Sequence, residues 1–511
     1  MSERTETPRP ESDVVGAVLA DVAGDTVAEA APGAEPEDAA IRAHTSGSRA
    51  NLELLFVALA GLVVSLSQSI LVPVLPQLDV EYGTGATWML TATLLVAAVA
   101  VPVMGRLGDM FGKRRILLVC LVLLTVGSLI DAVGDSLGIL IVGRAVQGIG
   151  MAIIPLGISL LATLMPREKV GSSVALISAM LGIGGSLGLP LAGFVAENWD
   201  WHILMWISAA ASFVALVGIW RVVPESRQRT GGRLDLPGTA LLSAGLVCLI
   251  LPLEEASSWG WDSPWVWSLL AASAILLGLL AAIELRTAEP LVDLRALARK
   301  PIIMTNLASI CFGFALFASF IGTATFVSMD PDVFPPGERA YGFSSGAFVA
   351  GLTMLPSGLM MLLFAPIAAR LIARRGAPQT LALGALVVAA GWIVRILLTG
   401  HLWEIVVGAC VIGVGTGIGY AAMPTLINTN TPAHEIAAAN GLNTLFRSLG
   451  STLATAIGSS LLASLAFSLG GTDIPRLSGY QWLFGLCAIA GVLAAALVLT
   501  VPNRPPGSPS H

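Results

Sequence analysis

GRLGDMFGKRR, residues 105–115, lies between two long apolar runs, roughly 86–104 and 116–130. A charged loop this short cannot rest in hydrocarbon, where each unpaired charge costs several kcal/mol. It therefore turns the chain at a membrane surface. Its four cations (Arg106, Lys113, Arg114 and Arg115) mark that surface as the cytoplasmic one under the positive-inside rule. Gly105 and Gly112 admit a tight turn and close helix approach. Asp109, the lone acid of the loop, is expected to sit at the positive end of a neighbouring helix.

The rest of the chain agrees with a membrane setting. Of 511 residues, 55% are hydrophobic and 12% charged, and the mean hydropathy is +0.83. Soluble proteins carry about 25% charged residues, so a polytopic membrane protein is implied. Residues 1–50 hold ten acids and four bases, which accounts for the whole net charge of −6; the remainder is neutral, and no nucleic-acid partner is implied. This first segment is rich in Ala, Glu, Asp, Pro and Gly and reads as a disordered tail without a cleavable signal. The five cysteines fall singly in apolar runs and read as small buried hydrophobes. The histidines form no metal-ligand spacing, and neither a phosphate loop nor a nucleophile turn is present, so no enzyme chemistry is signalled.

Runs long enough to span about 30 Å number fourteen: 52–76, 86–106, 115–134, 138–164, 170–196, 202–222, 236–254, 264–285, 301–328, 344–371, 378–399, 403–427, 435–466 and 479–501. With both ends cytoplasmic, inside segments hold 22 bases and outside loops two, Arg339 and Arg476. Losing or adding one span would destroy that asymmetry. Three arginines lie within spans: Arg144, Arg395 and Arg447. Arg395, close to its span end, is expected to snorkel to the surface. Every Asp and Glu reads as lying in a loop or at a span end, Asp131 among the outside-loop acids. The deep charges are then Arg144 and Arg447, and a neutral or electropositive cavity is expected.

The pattern G-x-x-x-D-x-x-G-K-R of 105–114 resembles the loop between the second and third helices of major facilitator superfamily transporters. The segment FAPIAARLIARRG, 364–376, has the same placement and basic character without the Asp, as a second six-helix half would. GRAVQGIG, 143–150, resembles the superfamily's R-x-x-Q-G signature, which implies that Arg144 and Gln147 face a central cavity. LGIGGSLGLPLAGF, 181–194, resembles the helix 5 antiporter motif G-x-x-x-G-P-x-x-G-G. Gly185, Gly188, Pro190 and Gly193 carry the match, with Leu189 and Phe194 departing from it. RLDLPG, 233–238, opens an inserted pair of spans, with Asp235 as a helix cap. Together these resemble the fourteen-helix drug:proton antiporter family.

What the resemblance implies is an all-α major facilitator fold. Its parts would be a tail (1–50), a six-helix half (51–225), an inserted helix pair (226–290), a second half (291–502) and a second tail (503–511). A proton-driven exporter of small amphipathic compounds is expected, without cofactor, monomeric, in a bacterial inner membrane with both termini cytoplasmic. The family's first helix commonly carries L-D-x-T-I-V-N-V-A-L-P; here the run is LSQSILVPVLP, so Ser67 stands at the Asp position beside Gln68 and neither titrates near neutral pH. Met110 replaces the basic residue that usually follows the loop Asp. Transport residues are expected at Ser67, Gln68, Arg144, Gln147, Asn306, Asn440, Asn443 and Arg447. A conformational latch is expected at Gly105, Asp109, Gly112, Lys113 and Arg114. An uptake or facilitative carrier, and a membrane scaffold or sensor that moves nothing, remain open.

Overall fold

The computed structural model describes residues 47–502 apart from 227, 228, 230, 232, 233, 288–293, 433, 434, 470 and 471. Most of the first tail, all of 503–511 and Arg233 lie outside the described residues.

Among the described residues, fourteen helical segments have nineteen residues or more. In the first half they are α1 (Gly47–Ser69), α2 (Trp88–Phe111), α3 (Lys113–Val133), α4 (Leu137–Leu164), α5 (Arg167–Asn198) and α6 (His202–Val222). The inserted pair is α7 (Leu236–Glu254) and α8 (Pro264–Glu284). The second half contains α9 (Lys300–Ser328), α10 (Ala347–Arg375), α11 (Ala377–Leu397), α12 (Leu402–Asn428), α13 (Ile436–Ser464) and α14 (Leu477–Leu499). Thirteen of these are long and apolar enough to cross a membrane. The remaining one, α13, is 29 residues long, or about 43 Å at 1.5 Å per residue. Its Asn, Thr, Ser and Arg side chains dilute its hydropathy. A polar helix of this length requires protein neighbours, and α2 and α9 supply them.

Local chemistry sets the boundaries. The first span is shorter as an α-helix than the apolar run 52–76, because Pro73 and Pro76 cannot donate to the helical ladder. The chain passes instead through a 3-10 turn, Val72–Val74, into a short helix, Leu75–Tyr82. Gly112 separates α2 from α3 at φ +117°, and Gly376 separates α10 from α11 at φ +84°. Side chains are strained at such angles. Asp235 caps α7 as expected, its Oδ1 accepting the Gly238 amide at 2.9 Å. A feature absent from the sequence reading is a hairpin between α13 and α14. Its strands β1 (Ala466–Leu469) and β2 (Thr472–Pro475) pair antiparallel with Ala466 opposite Pro475. SLGGTD, 468–473, carries the two-residue Gly-Gly signal for such a turn.

Two seams join the halves, and both use small residues, the usual means of close approach between apolar helices. Along α5 and α10, a Cβ on Gly193 would lie 2.6 Å from the Ala347 backbone, and one on Gly351 would lie 2.5 Å from the Pro190 nitrogen. Other faces of α5 meet α1, where a Cβ on Gly188 would collide with Ser69, and α9, where one on Gly185 would stand 3.1 Å from Phe320. Along α2 and α13, a Cβ on Gly105 would stand 3.0 Å from the Ala437 carbonyl, and one on Gly441 would stand 3.1 Å from that of Val101. The inserted pair lies against this second seam. Leu242, Leu246 and Ile250 of α7 share an apolar cluster with Ala98 of α2 and Leu442 and Leu445 of α13.

Candidate functional site

The loop 105–115 closes one end of the α2–α13 seam. Asp109, 1% exposed, is the third residue from the end of α2, and its Oδ2 accepts the backbone amide of Ala438 at 3.0 Å. That amide belongs to the first turn of α13, where backbone N–H groups lack intrahelical partners and the helix dipole favours an anion. Lys113, also fully buried, stands 3.7 Å from Asp109 Oδ1. Arg114 and Arg115 are held inside the first half. The backbone amides of Arg114 and Arg115 donate to the two carboxylate oxygens of Glu225 at 2.9 and 3.0 Å, and Arg114 Nη2 donates to the Trp220 carbonyl at 2.6 Å. Glu225 thus caps α3 from the segment after α6. It also fills the space where a Cβ on Gly112 would stand, 2.8 Å away.

A second constellation lies within the first half. Arg144 of α4 is 1% exposed, and its Nη1 donates to the Ser67 carbonyl at 2.9 Å and to Gln147 Oε1 at 2.7 Å. Gln147 Nε2 in turn donates to Asp131 Oδ2 at 2.9 Å and to Ser128 Oγ at 3.2 Å. Asp131 is fully buried on α3, which corrects its assignment to an outside loop. The physical reason is Gly143, which lacks the side chain that would occupy the position of Asp131 Oδ1. Arg144 is therefore compensated through Gln147 by a carboxylate from the third helix, not the first, and the expected uncompensated charge is absent here. The Ser67 hydroxyl turns toward α6, 2.5 Å from Ser208 Oγ, and the Gln68 amide lies against the Met151 sulfur. Ser67, Gln68, Arg144, Gln147 and Met151 line one small pocket with Thr93.

The residues expected in the second half form a separate group. Asn443 Nδ2 donates to Asn306 Oδ1 at 2.9 Å and Ser309 Oγ at 2.6 Å, tying α13 to α9. Asn440 Nδ2 donates to Asn428 Oδ1 at 2.6 Å, tying α13 to α12. Arg447, one turn beyond Asn443, places its guanidinium carbon 5.0 Å from the centre of the Tyr420 ring, a cation–π distance. Arg395 does not snorkel. It is fully buried, its Nη1 donating to Thr323 Oγ1 at 2.8 Å and its guanidinium carbon 4.9 Å from the Phe484 ring centre. Contacts from α9 and α14 override its nearness to the helix end.

Two pseudo-equivalent helical halves with small-residue seams between them and polar clusters within the span region are the architecture of a membrane transporter. The Major Facilitator Superfamily profile matches residues 57–455. The chain belongs to that superfamily and is a multi-pass membrane transporter. It is 29% identical over 422 residues to the puromycin resistance protein of Streptomyces alboniger, covering 79% of this chain and 80% of that one. It is 27% identical over 423 residues to the tetracenomycin C resistance and export protein of Streptomyces glaucescens, covering 80% and 76%. For some other relatives the aligned part is about three fifths of the relative's own length. Among solved structures, the human organic anion transporter MFSD10 superposes with a TM-score of 0.61 at 17% identity, covering 88% of this chain and 99% of that one, a likeness of fold.

Proposed function

We propose that this protein is a secondary active exporter of small amphipathic compounds, of the drug-efflux kind, driven by the proton gradient across a bacterial inner membrane. The Asp109–Ala438 contact carries the reading. It is a buried charge-to-helix-end contact made across the seam, at the end that opens when the halves rock, and so it suits a latch for the state closed to the cytoplasm. Relatives named for resistance and export support the outward direction. In this reading both termini are cytoplasmic, the chain acts as a monomer without cofactor, and it performs no enzymatic chemistry.

Ser67, Gln68, Arg144 and Gln147 would contact substrate from the first half, and Asn306, Asn440, Asn443 and Arg447 from the second. Because Asp131 answers Arg144 while Arg447, among the described residues, faces the Tyr420 ring and the Thr444 hydroxyl, neutral or anionic amphipathic solutes suit these walls better than dications. The test is purified protein in liposomes carrying an imposed pH gradient, with matched neutral, anionic and dicationic dyes. Concentrative movement of neutral or anionic dye against the gradient, collapsed by a protonophore, is the expected result. Movement of none of the dyes would overturn export, and dicationic dye moved in Arg447→Ala and Arg144→Ala variants as in the native protein would overturn the substrate class.

A further inference from the structure

The α5–α10 seam carries, at the end opposite Asp109, a contact of the same kind as the one Asp109 makes. Since α3 and α4 carry the chain across and back, α5 starts at the Asp109 end of the bundle and finishes at the far end. Its last residue but one is Glu197, whose Oε1 accepts the backbone amide of Phe348 at 3.1 Å. Phe348 is the second residue of α10, so a carboxylate of the first half again meets the first turn of a helix of the second half. The residue before α10 is Gly346, which has no side chain with which to cap the helix. Gly346 also makes room for the carboxylate, since a Cβ there would collide with Glu197 Oε1. Around the contact, the Phe194 ring centre lies 5.7 Å from that of Phe348 and 5.4 Å from that of Trp199, both edge to face. From here the seam continues to the Asp109 end, where Ala175 and Ala179 of α5 share an apolar cluster with Ala365 and Ala368 of α10. It is closed at both ends.

We propose that Glu197 is a second latch, which holds the far end of the bundle shut by capping α10 from the other half. The two carboxylates answer to opposite halves of a rocking cycle. Opening at the Asp109 end draws Asp109 away from Ala438 and leaves Glu197 on Phe348, because the far ends stay together. Opening at the far end parts Gly193 from Ala347, withdraws Glu197 and leaves the first amides of α10 to water, while Asp109 keeps its place. The conformation seen makes both contacts, as the closed intermediate between those two states must. Glu197 is exposed where Asp109 is buried, so solvent screens it and the far latch is the weaker of the two. The inference concerns the rocking of the halves alone and holds whichever solute is moved, and in whichever direction.

Hydrogen exchange of the full chain in lipid nanodiscs tests it. The far end is read on peptides covering 185–194 and 350–358, clear of the Phe348 amide itself, and the Asp109 end on 105–112 and 436–444. Glu197→Ala removes charge and acceptor together. It is expected to speed exchange in both far peptides about two- to five-fold, the worth of a carboxylate at an exposed helix end, with the Asp109-end peptides unchanged. Glu197→Gln, which keeps a neutral acceptor, should give a smaller rise in the same two peptides. Gly346→Ala, which pushes the carboxylate off the amide, should speed them as Glu197→Ala does and add nothing in the Glu197→Ala background. Native rates in the far peptides of Glu197→Ala overturn the proposal, and so does a change confined to residues 346–349, which is a local cap. Equal speeding at both ends, which is a loosened fold, overturns it as well, as does a Gly346→Ala effect that persists in full without Glu197. Should Glu197→Ala fail to fold, native rates in both Glu197→Gln and Gly346→Ala overturn it equally.

Discussion

Replacing Asp109 by Asn removes one charge and almost no volume from the closed seam, so it isolates the electrostatic part of the latch. The Asn carbonyl oxygen can still accept the Ala438 amide, now at 3.0 Å from Oδ2. What is lost is the difference between a hydrogen bond to a charged acceptor and one to a neutral acceptor, about 1–2 kcal/mol, in a site buried enough that solvent does not screen it. The neighbouring Lys113 also loses the carboxylate 3.7 Å from its Nζ. At 1.4 kcal/mol per tenfold, the closed state should lose roughly 5- to 30-fold in population against the open one. Turnover should fall by about that factor, because every cycle passes through the closed seam. Dye export from vesicles, normalised to the amount of folded protein, measures the rate, and hydrogen exchange of residues 436–444 measures the opening directly. Asp109→Asn exporting at the native rate, with unchanged exchange, would refute the latch.

Three further outcomes follow from packing and charge. Gly193→Val should destabilise the fold by about 1–3 kcal/mol, read as a lower Tm, because the Ala347 backbone at 2.6 Å cannot yield, whereas Gly278→Ala, with nothing within 4 Å, should leave Tm unchanged. Asp131→Asn or Arg144→Gln alone should cost roughly 3–5 kcal/mol by leaving a buried charge unanswered; the double variant should recover much of the Tm and still fail to transport, and a double variant no more stable than the singles would count against the Gln147-linked pairing. Arg395→Met should match or exceed the native Tm, since Nε and Nη2 of this fully buried arginine have no hydrogen-bond partner and a buried ion without a counter-charge is costly; a clear drop in Tm would show that its ring and Thr323 contacts outweigh that cost.

The spans were legible because length and apolar continuity alone decide what crosses a membrane. The closed turn at 105–115 was legible because its glycines and charges allow few alternatives. Asp131 was not. It is the third residue from the end of α3, where hydropathy assigns an acid to the loop, and its depth follows from the absent side chain of Gly143 on the next helix. Arg395 was misread for the same reason in reverse, since nearness to a helix end says nothing about Phe484 arriving from α14. The Glu225 cap on α3 joins residues about 110 positions apart, and no local pattern announces it. Boundaries set by proline were readable in principle: Pro73 and Pro76 mark where α1 must stop being α-helical.

The two halves repeat the same glycines but not the same charges, which separates the residues that make the bundle from those that individualise it. Asp131 follows Gly112 by nineteen residues, and Arg395 follows Gly376 by nineteen. Gly127 and Gly391 each stand fifteen residues after the same break, and each packs tightly on the next helix, against Gly143 and Gln147 in one half and Ile412 in the other. Gly143 makes room for Asp131, and Gly408 makes room for Arg395. Counting from those last glycines, Arg144 and Gln147 correspond to Ala409 and Ile412. The first half thus holds an Arg–Gln–Asp chain that reaches the cavity beside Ser67 and Gln68. At the equivalent positions the second half holds Arg395 among aromatic rings and a threonine. Small residues present in both copies answer to helix approach, which both halves need. A polar chain present in one copy answers to something only that half does, so substitutions along Asp131, Arg144 and Gln147 should change transport in ways that matched substitutions at Arg395, Ala409 and Ile412 do not.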